Sequence, residues 1–401
     1  MIKVVNQKPL LKSISSEDIL SYFSSFGNSI DISENKIFEH IGKKPWTLNE
    51  FKKQNWGHSF HSIAPYIGRI KPSFAHWLIK LTTNPGDVVL DPFCGIGTVP
   101  LEADLLKRKA IGFDLNDYAI TITKAKFDRR SLENNLKWLD EVKLEPQKIK
   151  LSTVSKYIKQ FYHPKTLKEI LSLKEKIIES KRHFLLGCLI GIVHGHRPQY
   201  LSAWTGYIIP FSPNTAAEYR EVIPKLKAKI TRMHSDSISK SVGSVIKKQD
   251  VKKISLPKNS VDIIITSPPY FDTIDYVTSN RLRLAILGIS DDKSVDLKNK
   301  LIQKQKTYLD QMKIVGEKLH HILKNNSYCI FVLGDVHKPN GSRNTALEVS
   351  EIYSTLGYKT LKIIDDEIPR STRTAHKWKG KKEMVNTKQK LDRILIMKVE
   401  K

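Results

Sequence analysis

The sequence predicts an α/β fold in which a mostly parallel sheet has helices on both faces. The first observation is a set of apolar stretches of strand length, at 87–91, 109–116, 244–250, 261–266, 327–336, 358–364 and 393–399. The second is helical spacing of apolar residues between strands, as in Y-A-I-T-I-T-K-A-K at 118–126. Such alternation favours parallel strands joined by crossover helices.

The 401 residues are enough for one α/β core with a large insertion. Residues 1–45 are mixed and polar, and we interpret them as an N-terminal arm. The α/β pattern occupies 46–124 and resumes over 241–401. Between these parts, 125–240 is rich in lysine and has mostly helical periodicity, which predicts a helical insertion.

The charge of the chain indicates a polyanionic partner. Lys and Arg number 67 against 41 Asp and Glu, and the net charge is +26. A positive field of this size attracts nucleic acid and supplies the salt-sensitive part of its binding. A generally lysine-rich surface is the alternative explanation.

Composition also argues against several other classes of protein. Cys94, Cys188 and Cys329 are too few and too scattered for a disulfide framework or a zinc site, so we expect no bound metal. The N-terminal residues lack the apolar segment of a signal peptide, and the longest apolar run, near 184–193, is too short to cross a bilayer. We therefore expect a cytoplasmic protein without membrane contact.

Two of the strands end in acidic residues beside a turn that contains glycine. In D-P-F-C-G-I-G-T, Gly95 and Gly97 would let a ligand approach the backbone closely, and Asp91 could meet a cation. Pro100 replaces the third glycine of a dinucleotide-binding motif, which disfavours NAD and FAD. Asp114, at the end of the next strand, could bind both hydroxyls of a ribose. A plain turn and a helix-capping aspartate remain the alternatives.

The stretch S-P-P-Y follows the most apolar strand. Pro268 and Pro269 remove two N–H donors, so the backbone there presents oxygens as acceptors. Ser267 adds a hydroxyl, and Tyr270 adds a flat ring on which a base could stack. Such a corner suits the exocyclic amine of an extruded nucleobase, although a strand-ending turn explains it equally well in isolation.

Together these segments resemble the amino-methyltransferase family of S-adenosylmethionine-dependent DNA methyltransferases. The family's cofactor motif matches D-P-F-C-G-I-G-T, and its catalytic motif matches S-P-P-Y. H-S-I-A-P-Y-I-G-R-I-K-P and Q-D-V-K-K-I-S-L-P-K-N-S-V-D-I-I-I resemble two further motifs of the family. The resemblance covers roughly 56–120 and 240–400, and it implies a Rossmann-like class I methyltransferase fold with a seven-stranded sheet and S-adenosylmethionine as the cofactor.

The resemblance also implies site residues. Asp91 would lie near the amino acid part of the cofactor, Asp114 at the ribose and Asp250 at the adenine. The full set of expected cofactor-binding residues is Tyr66, Asp91, Pro92, Phe93, Gly95, Gly97, Thr98, Asp114, Leu115 and Asp250. The expected catalytic residues are Ser267, Pro268, Pro269 and Tyr270.

Residues that could contact the substrate follow the catalytic stretch and lie in a basic loop at 369–381. They are Asp272, Tyr276, Arg281, Arg370, Arg373 and Trp378. An ordinary amphipathic helix and a solvated run of charge are the alternatives.

The expected substrate is double-stranded DNA, methylated at the N4 amine of a flipped cytosine. A serine at the first position of the catalytic motif is typical of cytosine-N4 enzymes in this family, whereas aspartate or asparagine is typical of adenine-N6 enzymes. We further expect a monomer that acts in a restriction-modification system with a cognate endonuclease. Adenine-N6 methylation, RNA guanine-N2 methylation and a catalytically silent DNA-binding regulator stay open as alternatives.

Overall fold

A sheet of seven strands forms the centre of the protein. The computed structural model describes residues 34–195, 200–205, 210–236, 240–270, 275–334, 336–338, 341–367 and 391–401. The strands of the main sheet are β1 Val88–Asp91, β2 Lys109–Asp114, β3 Val245–Lys248, β4 Val261–Thr266, β5 Leu323–Gly334, β8 Tyr358–Glu367 and β9 Leu391–Val399. Two further strands, β6 Val336–Lys338 and β7 Gly341–Arg343, pair with each other.

Helices lie before the first strand and between strands along the chain. The α-helices are α1 Glu34–Gly42, α2 Pro72–Thr82, α3 Thr98–Leu105, α4 Asp117–Ala125, α5 Leu132–Glu141, α6 Lys156–Lys159, α7 Pro164–Glu179, α8 His183–Ile192, α9 Val222–Met233, α10 Tyr276–Ser279, α11 Arg281–Ile286, α12 Asp291–Lys300, α13 Tyr308–Ile322 and α14 Thr345–Ser354. Short 3-10 helices cover Pro45–Thr47, Asn49–Lys52, Ser59–Ser62, Pro146–Lys148, Leu151–Thr153, Val251–Lys253 and Gln305–Thr307.

The order of strands places a switch point beside β1. The order across the sheet is β3-β2-β1-β4-β5-β9-β8. Val89 of β1 pairs with Ala110 of β2 on one side and with Ile263 of β4 on the other, and both pairings are parallel. Strand β9 is antiparallel to β5 and to β8, between which it lies. In sheets of this kind ligands bind beyond the carboxyl ends of the strands at the switch point, here between β1 and β4.

Both faces of the sheet are buried, which explains why its central strands are apolar throughout. Leu90 and Ile264 belong to one core, together with residues of α13 and α14. Val89, Ile263 and Ile265 belong to the opposite core, together with residues of α1 and α2. Successive side chains of a strand point to opposite faces, so a strand covered on both sides needs apolar residues at each position. The prediction of an α/β protein with helices on both faces is confirmed.

The structure differs from the sequence-based boundaries at two places. Strand β5 begins at Leu323, four residues before the predicted start at 327, and the register of its partner β4 shifts between Val261 and Ile263. The polar residues at 324–326 hid this extension from an apolar pattern. The helical pattern after the S-P-P-Y stretch is two short helices, α10 and α11, separated at Asn280.

The segment 125–240 contains helices α5 to α9, as its periodicity predicts. Its buried residues form one hydrophobic cluster with neighbouring elements, in which Phe184 of α8 joins Ile122 of α4 and Leu284 of α11. The insertion is therefore attached to the α/β core through a shared apolar interior. Its limits at 125 and 240 stay a prediction, as does the arm at 1–45, of which residues 1–33 lie outside the described ranges.

Across the described ranges, none of the helices combines the length and the apolar composition needed to cross a membrane.

Candidate active site

A cleft opens at the switch point, beyond the carboxyl ends of β1 and β4. The segment before α2, the turn after β1, the end of β2 and the corner after β4 all contribute to it. Its lining residues are Tyr66, Gly68, Arg69, Ile70, Asp91, Phe93, Cys94, Gly95, Ile96, Thr98, Asp114, Asn116, Ser267, Pro269, Tyr276 and Leu301. The glycine turn and the proline corner thus share one cleft.

The turn after β1 depends on its two glycines. Gly95 and Gly97 have φ angles of +50° and +72°, in the left-handed region that disfavours residues with a Cβ. A Cβ at Gly97 would lie 2.5 Å from Cγ2 of Thr123, so the turn also packs too tightly for alanine. The turn therefore leads into α3 with its backbone close to the cleft.

Asp114 connects the ends of β1 and β2. Its carboxylate accepts hydrogen bonds from the backbone N–H of Gly95 at 2.9 Å and of Asn116 at 2.8 Å. Burial raises the pKa of Asp114 to about 6, although these hydrogen bonds oppose the shift. A carboxylate in this position can still accept hydrogen bonds from the hydroxyls of a ligand.

Asp91 lies deeper, at the end of β1. It is 3% exposed, and its Oδ1 accepts from the Thr266 hydroxyl at 2.5 Å and from the backbone N–H of Phe93 at 3.2 Å. Burial raises the pKa of Asp91 to about 7, and the nearby Asp114 charge acts in the same direction. Two carboxylates facing one cleft favour a ligand that brings positive charge or hydroxyl donors.

A row of tyrosine rings forms one wall. The Tyr66 and Tyr276 rings are stacked, with centroids 5.9 Å apart and planes 24° apart. The centroid of the Tyr66 ring also lies 6.0 Å from that of Tyr118, whose hydroxyl donates to the Pro65 carbonyl at 2.5 Å. This bond holds the loop that carries Tyr66 against α4. The wall is therefore supported from behind.

Arg69 lines the cleft, but its guanidinium is largely used by the backbone. It donates to the carbonyl oxygens of His61 and Gln54, each at 2.5 Å. Burial lowers the pKa of Arg69 to about 10. We conclude that Arg69 fixes the loop before α2 in place.

The corner after β4 presents oxygen atoms. Pro268 and Pro269 have no N–H, and the Ser267 hydroxyl donates to the Val332 carbonyl of β5 at 3.0 Å. Because that proton is committed to Val332, Ser267 Oγ can offer a lone pair as an acceptor. The Tyr270 hydroxyl lies beside Ser267 and Asp392, and burial raises its pKa well above the usual value.

Gly334 of β5 and Tyr276 of α10 support this corner. A Cβ at Gly334 would lie 3.2 Å from the Tyr270 ring, so the ring packs closely against that glycine. The Tyr276 hydroxyl hydrogen-bonds with the backbone of Tyr270. The two tyrosines thereby connect the corner to the wall of the cleft.

The expected site residues divide into three groups. Those that line the cleft are Tyr66, Asp91, Phe93, Gly95, Thr98, Asp114, Ser267, Pro269 and Tyr276. Those that are described but do not line it are Pro92, Gly97, Leu115, Asp250, Pro268, Tyr270 and Arg281. Asp272, Arg370, Arg373 and Trp378, with the basic loop 369–381, lie outside the described residues.

Asp250 and Arg281 have other partners in this structure. Asp250 is the N-cap of the 3-10 helix Val251–Lys253 and accepts from the Lys252 backbone N–H at 3.0 Å. Arg281 pairs with Asp291 at 2.9 Å, and its guanidinium lies 4.1 Å from the centroid of the Tyr157 ring. Their expected roles in binding adenine and substrate stay predictions.

Sequence reasoning missed several lining residues. Gly68, Arg69, Ile70, Cys94, Ile96, Asn116 and Leu301 border the cleft. Most of them lie within or beside the stretches already singled out, so neighbourhood in sequence could have suggested them. Leu301 differs from the rest because it directly follows α12, far along the chain from the recognised motifs, and no local signal marks it.

The cysteine side chains, at Cys94, Cys188 and Cys329, are all buried and free. Within the described part of the chain, no group of three or more His, Cys, Asp or Glu side chains is arranged to hold a metal ion.

The strand order, the antiparallel β9 and the cleft at the switch point define an α/β methyltransferase fold of the class I type. A family model described as DNA methylase matches residues 31–125. Through this match, the relatives described next and the two motifs in the cleft, the chain is similar to the S-adenosylmethionine-dependent DNA amino-methyltransferases.

Three curated relatives are similar to parts of the chain. The type II methyltransferase M.BsoBI of Geobacillus stearothermophilus is 24% identical over 331 residues, which cover 69% of this chain and 64% of that protein. The type II methyltransferase M.MjaII of Methanocaldococcus jannaschii is 26% identical over 126 residues, covering 31% of this chain and 22% of that protein. The tRNA (guanine(10)-N2)-dimethyltransferase of the same organism is 31% identical over 105 residues, covering 26% of each chain. The chain thus spans less than two thirds of the length of each of these relatives.

S-adenosylmethionine is the methyl donor of this family, and the residues of the cleft fit it. Asp91 and Asp114 offer acceptors for an ammonium group and for ribose hydroxyls. The glycine turn brings the backbone to the cleft without a side chain in between.

Proposed function

We propose that the protein transfers the methyl group of S-adenosylmethionine to the exocyclic N4 amine of a cytosine flipped out of double-stranded DNA. The observation that carries this proposal is the shared cleft: Ser267 and Pro269 of the proline corner line the same space as Gly95 and Asp114. A methyl donor bound at the glycine turn and an amine bound at the corner would therefore be neighbours, as direct transfer requires.

The cofactor would bind across the ends of β1, β2 and β3. Asp114 would accept hydrogen bonds from the ribose hydroxyls, and Asp91 would lie near the amino acid part. Asp250 would approach the adenine amine from the end of β3. Gly97, Pro92 and Leu115 would act by shaping the turns that carry these groups.

The base would be held at the corner by acceptors. The N–H bonds of an exocyclic amine can donate to Ser267 Oγ and to the carbonyl oxygens of the corner, while the Tyr270 ring offers a planar surface. The amine nitrogen then forms a bond to the methyl carbon as the sulfur–carbon bond breaks, and the amine loses a proton to solvent. This step needs positioning and hydrogen bonding and no metal ion.

The choice of base rests on Ser267, because serine at this position is typical of the cytosine-N4 members of the family. Adenine-N6 methylation is the alternative, since both amines would meet the same acceptors. The similarity to a tRNA guanine-N2 dimethyltransferase favours a third candidate, methylation of RNA. Methyl transfer from tritiated S-adenosylmethionine to duplex DNA and to tRNA, followed by nucleoside analysis, distinguishes all three.

Two of the relatives are described as type II methyltransferases. We therefore propose that the protein acts in a restriction-modification system with a cognate endonuclease. Independently of these relatives, we propose that it is a monomer in the cytoplasm. The insertion 125–240 would contact the duplex.

The central test is the double substitution Ser267→Ala with Pro269→Ala. It removes an acceptor and the rigidity of the corner, so we expect methyl transfer to fall at least about a hundredfold. Cofactor affinity, measured by calorimetry, should stay unchanged because the glycine turn and Asp114 are untouched. The matched control is Ser260→Ala with Pro257→Ala, at the opposite end of β4. Full activity in the Ser267 and Pro269 variant would refute the proposed role of the corner.

A further inference from the structure

Exposed aromatic side chains are concentrated in one short part of the insertion. Among the described residues, the large aromatic side chains classed as exposed are Trp204, Phe211 and Tyr219, at 46%, 55% and 38%. The stretch W-T-G-Y-I-I-P-F-S-P-N-T at 204–215 contains no charged residue, although 125–240 has 22 Lys and Arg against 11 Asp and Glu. Exposed apolar groups in a basic setting indicate an interaction surface.

Trp204 and Phe211 are both attached beside helix α6. The backbone N–H of Ala203, next to Trp204, donates to the Phe161 carbonyl at 2.7 Å. The carbonyl of Pro210, next to Phe211, accepts from the Tyr157 hydroxyl at 2.6 Å. Because Tyr157 belongs to α6 and Phe161 follows it closely, both aromatic residues are held near this short helix.

Two lysines of α6 add positive charge to this place. Lys156 and Lys159 are exposed, and neither forms an ion pair with any described residue. We call Lys156, Lys159, Trp204 and Phe211 the insertion surface. It combines exposed cations, which can meet phosphates, with exposed rings, on which bases can stack.

The insertion surface is connected to the cleft through helices α11 and α10. The Tyr157 ring of α6 contacts the Arg281 guanidinium of α11 at 4.1 Å. Helix α11 follows α10, and α10 begins with Tyr276, which lines the cleft beside the proline corner. A duplex whose base enters the cleft would thus pass close to α6.

We propose that the insertion surface binds the DNA duplex beside the extruded base, an inference that rests on the proposed function. Lys156 and Lys159 contact phosphates, and Trp204 and Phe211 pack against bases that lose their stacking partner when the target leaves the helix. Duplex DNA is favoured over a second copy of the chain because the chain carries a net charge of +26, and two lysine-flanked surfaces would repel each other.

The test compares two double variants with the wild-type protein on linearised, unmethylated plasmid DNA. For Lys156→Ala with Lys159→Ala, we expect the slope of log affinity against log salt to fall by about 2, since each phosphate contact contributes about 0.9. For Trp204→Ala with Phe211→Ala, we expect affinity to fall on the order of tenfold with the slope unchanged. The KM for DNA should rise in both, and the affinity for S-adenosylmethionine should not change.

The matched controls lie on α13, whose buried residues belong to the same core as Leu90 and Ile264 of the sheet. Lys313, Ile314 and Lys318 are exposed there, so Lys313→Ala with Lys318→Ala, and Ile314→Ala, remove similar groups elsewhere. We expect these controls to bind DNA like the wild type.

Two outcomes would overturn the inference. The first is that the insertion-surface variants bind DNA like the α13 controls. The second is that the wild type is a dimer which Trp204→Ala with Phe211→Ala separates into monomers of full DNA affinity. Absence of methyl transfer by the wild type to plasmid DNA would instead count against the proposed function, and the binding measurement would still test the surface.

Discussion

Replacing Gly97 with alanine tests how strictly packing dictates the glycine turn. A Cβ at this position would lie 2.5 Å from Cγ2 and 2.8 Å from Oγ1 of Thr123. Thr123 is fully buried, and its hydroxyl proton is shared between the carbonyls of Gly95 at 2.8 Å and Ala119 at 3.0 Å. The threonine cannot rotate away without losing these hydrogen bonds.

Two terms set the size of the expected loss. The left-handed φ of +72° at Gly97 costs a residue with a Cβ about 1–2 kcal/mol. The clash with a buried side chain adds about 1–3 kcal/mol. We therefore expect Gly97→Ala to lower the free energy of unfolding by about 2–5 kcal/mol.

Urea denaturation with a matched control separates the two terms. Gly86 also has a positive φ, +94°, but a Cβ there would meet nothing within 4 Å, so Gly86→Ala carries the backbone cost alone. Thr123→Ala removes the two nearest atoms but also costs stability by itself; in a double-mutant cycle, Gly97→Ala should therefore cost about 1–2 kcal/mol less in the Thr123→Ala background than in the wild type. The reasoning is wrong if Gly97→Ala costs no more than Gly86→Ala, or if Thr123→Ala brings no relief.

Two further predictions concern titratable groups. Burial raises the pKa of Asp91 to about 7 and that of Asp114 to about 6, and both carboxylates bind the cofactor best when ionised. Calorimetric affinity for S-adenosylmethionine should therefore fall about tenfold per pH unit below about 7 and more steeply below about 6; the steeper part should disappear in Asp114→Asn, with Asp117→Asn as control. Burial alone would raise the pKa of Glu102, but hydrogen bonds with the His61 and His76 side chains lower it to about 2. The ionised Glu102 therefore stabilises the folded state above pH 4.5, its pKa in the unfolded chain, and this stabilisation is lost as the pH falls towards 2. Glu102→Gln should cost about 1.5–3 kcal/mol at neutral pH in urea denaturation, whereas the exposed Asp296→Asn should cost little; equal effects would contradict this account.

Local patterns in the sequence were sufficient to predict the strands of the sheet and to recognise the two motifs at their ends. A strand buried on both faces must be apolar at each position, so β1, β2 and β4 are visible as short apolar runs. The left-handed backbone at Gly95 and Gly97 favours glycine. The pair Pro268 and Pro269 predicts a corner without backbone N–H donors. These constraints act between neighbouring residues, which is why they can be recognised without coordinates.

The direction of β9 and the composition of the cleft wall depend on contacts between distant parts of the chain. An apolar run has the same appearance whether its strand runs parallel or antiparallel, so the pairing of β9 with β5 and β8 becomes visible only in the fold. The hydrogen bond from Ser267 to Val332 and the contact of Arg281 with Tyr157 join residues that are far apart in sequence. Chemistry that resides in short stretches can thus be recognised from the chain alone, whereas the neighbours of each group are chosen by three-dimensional packing.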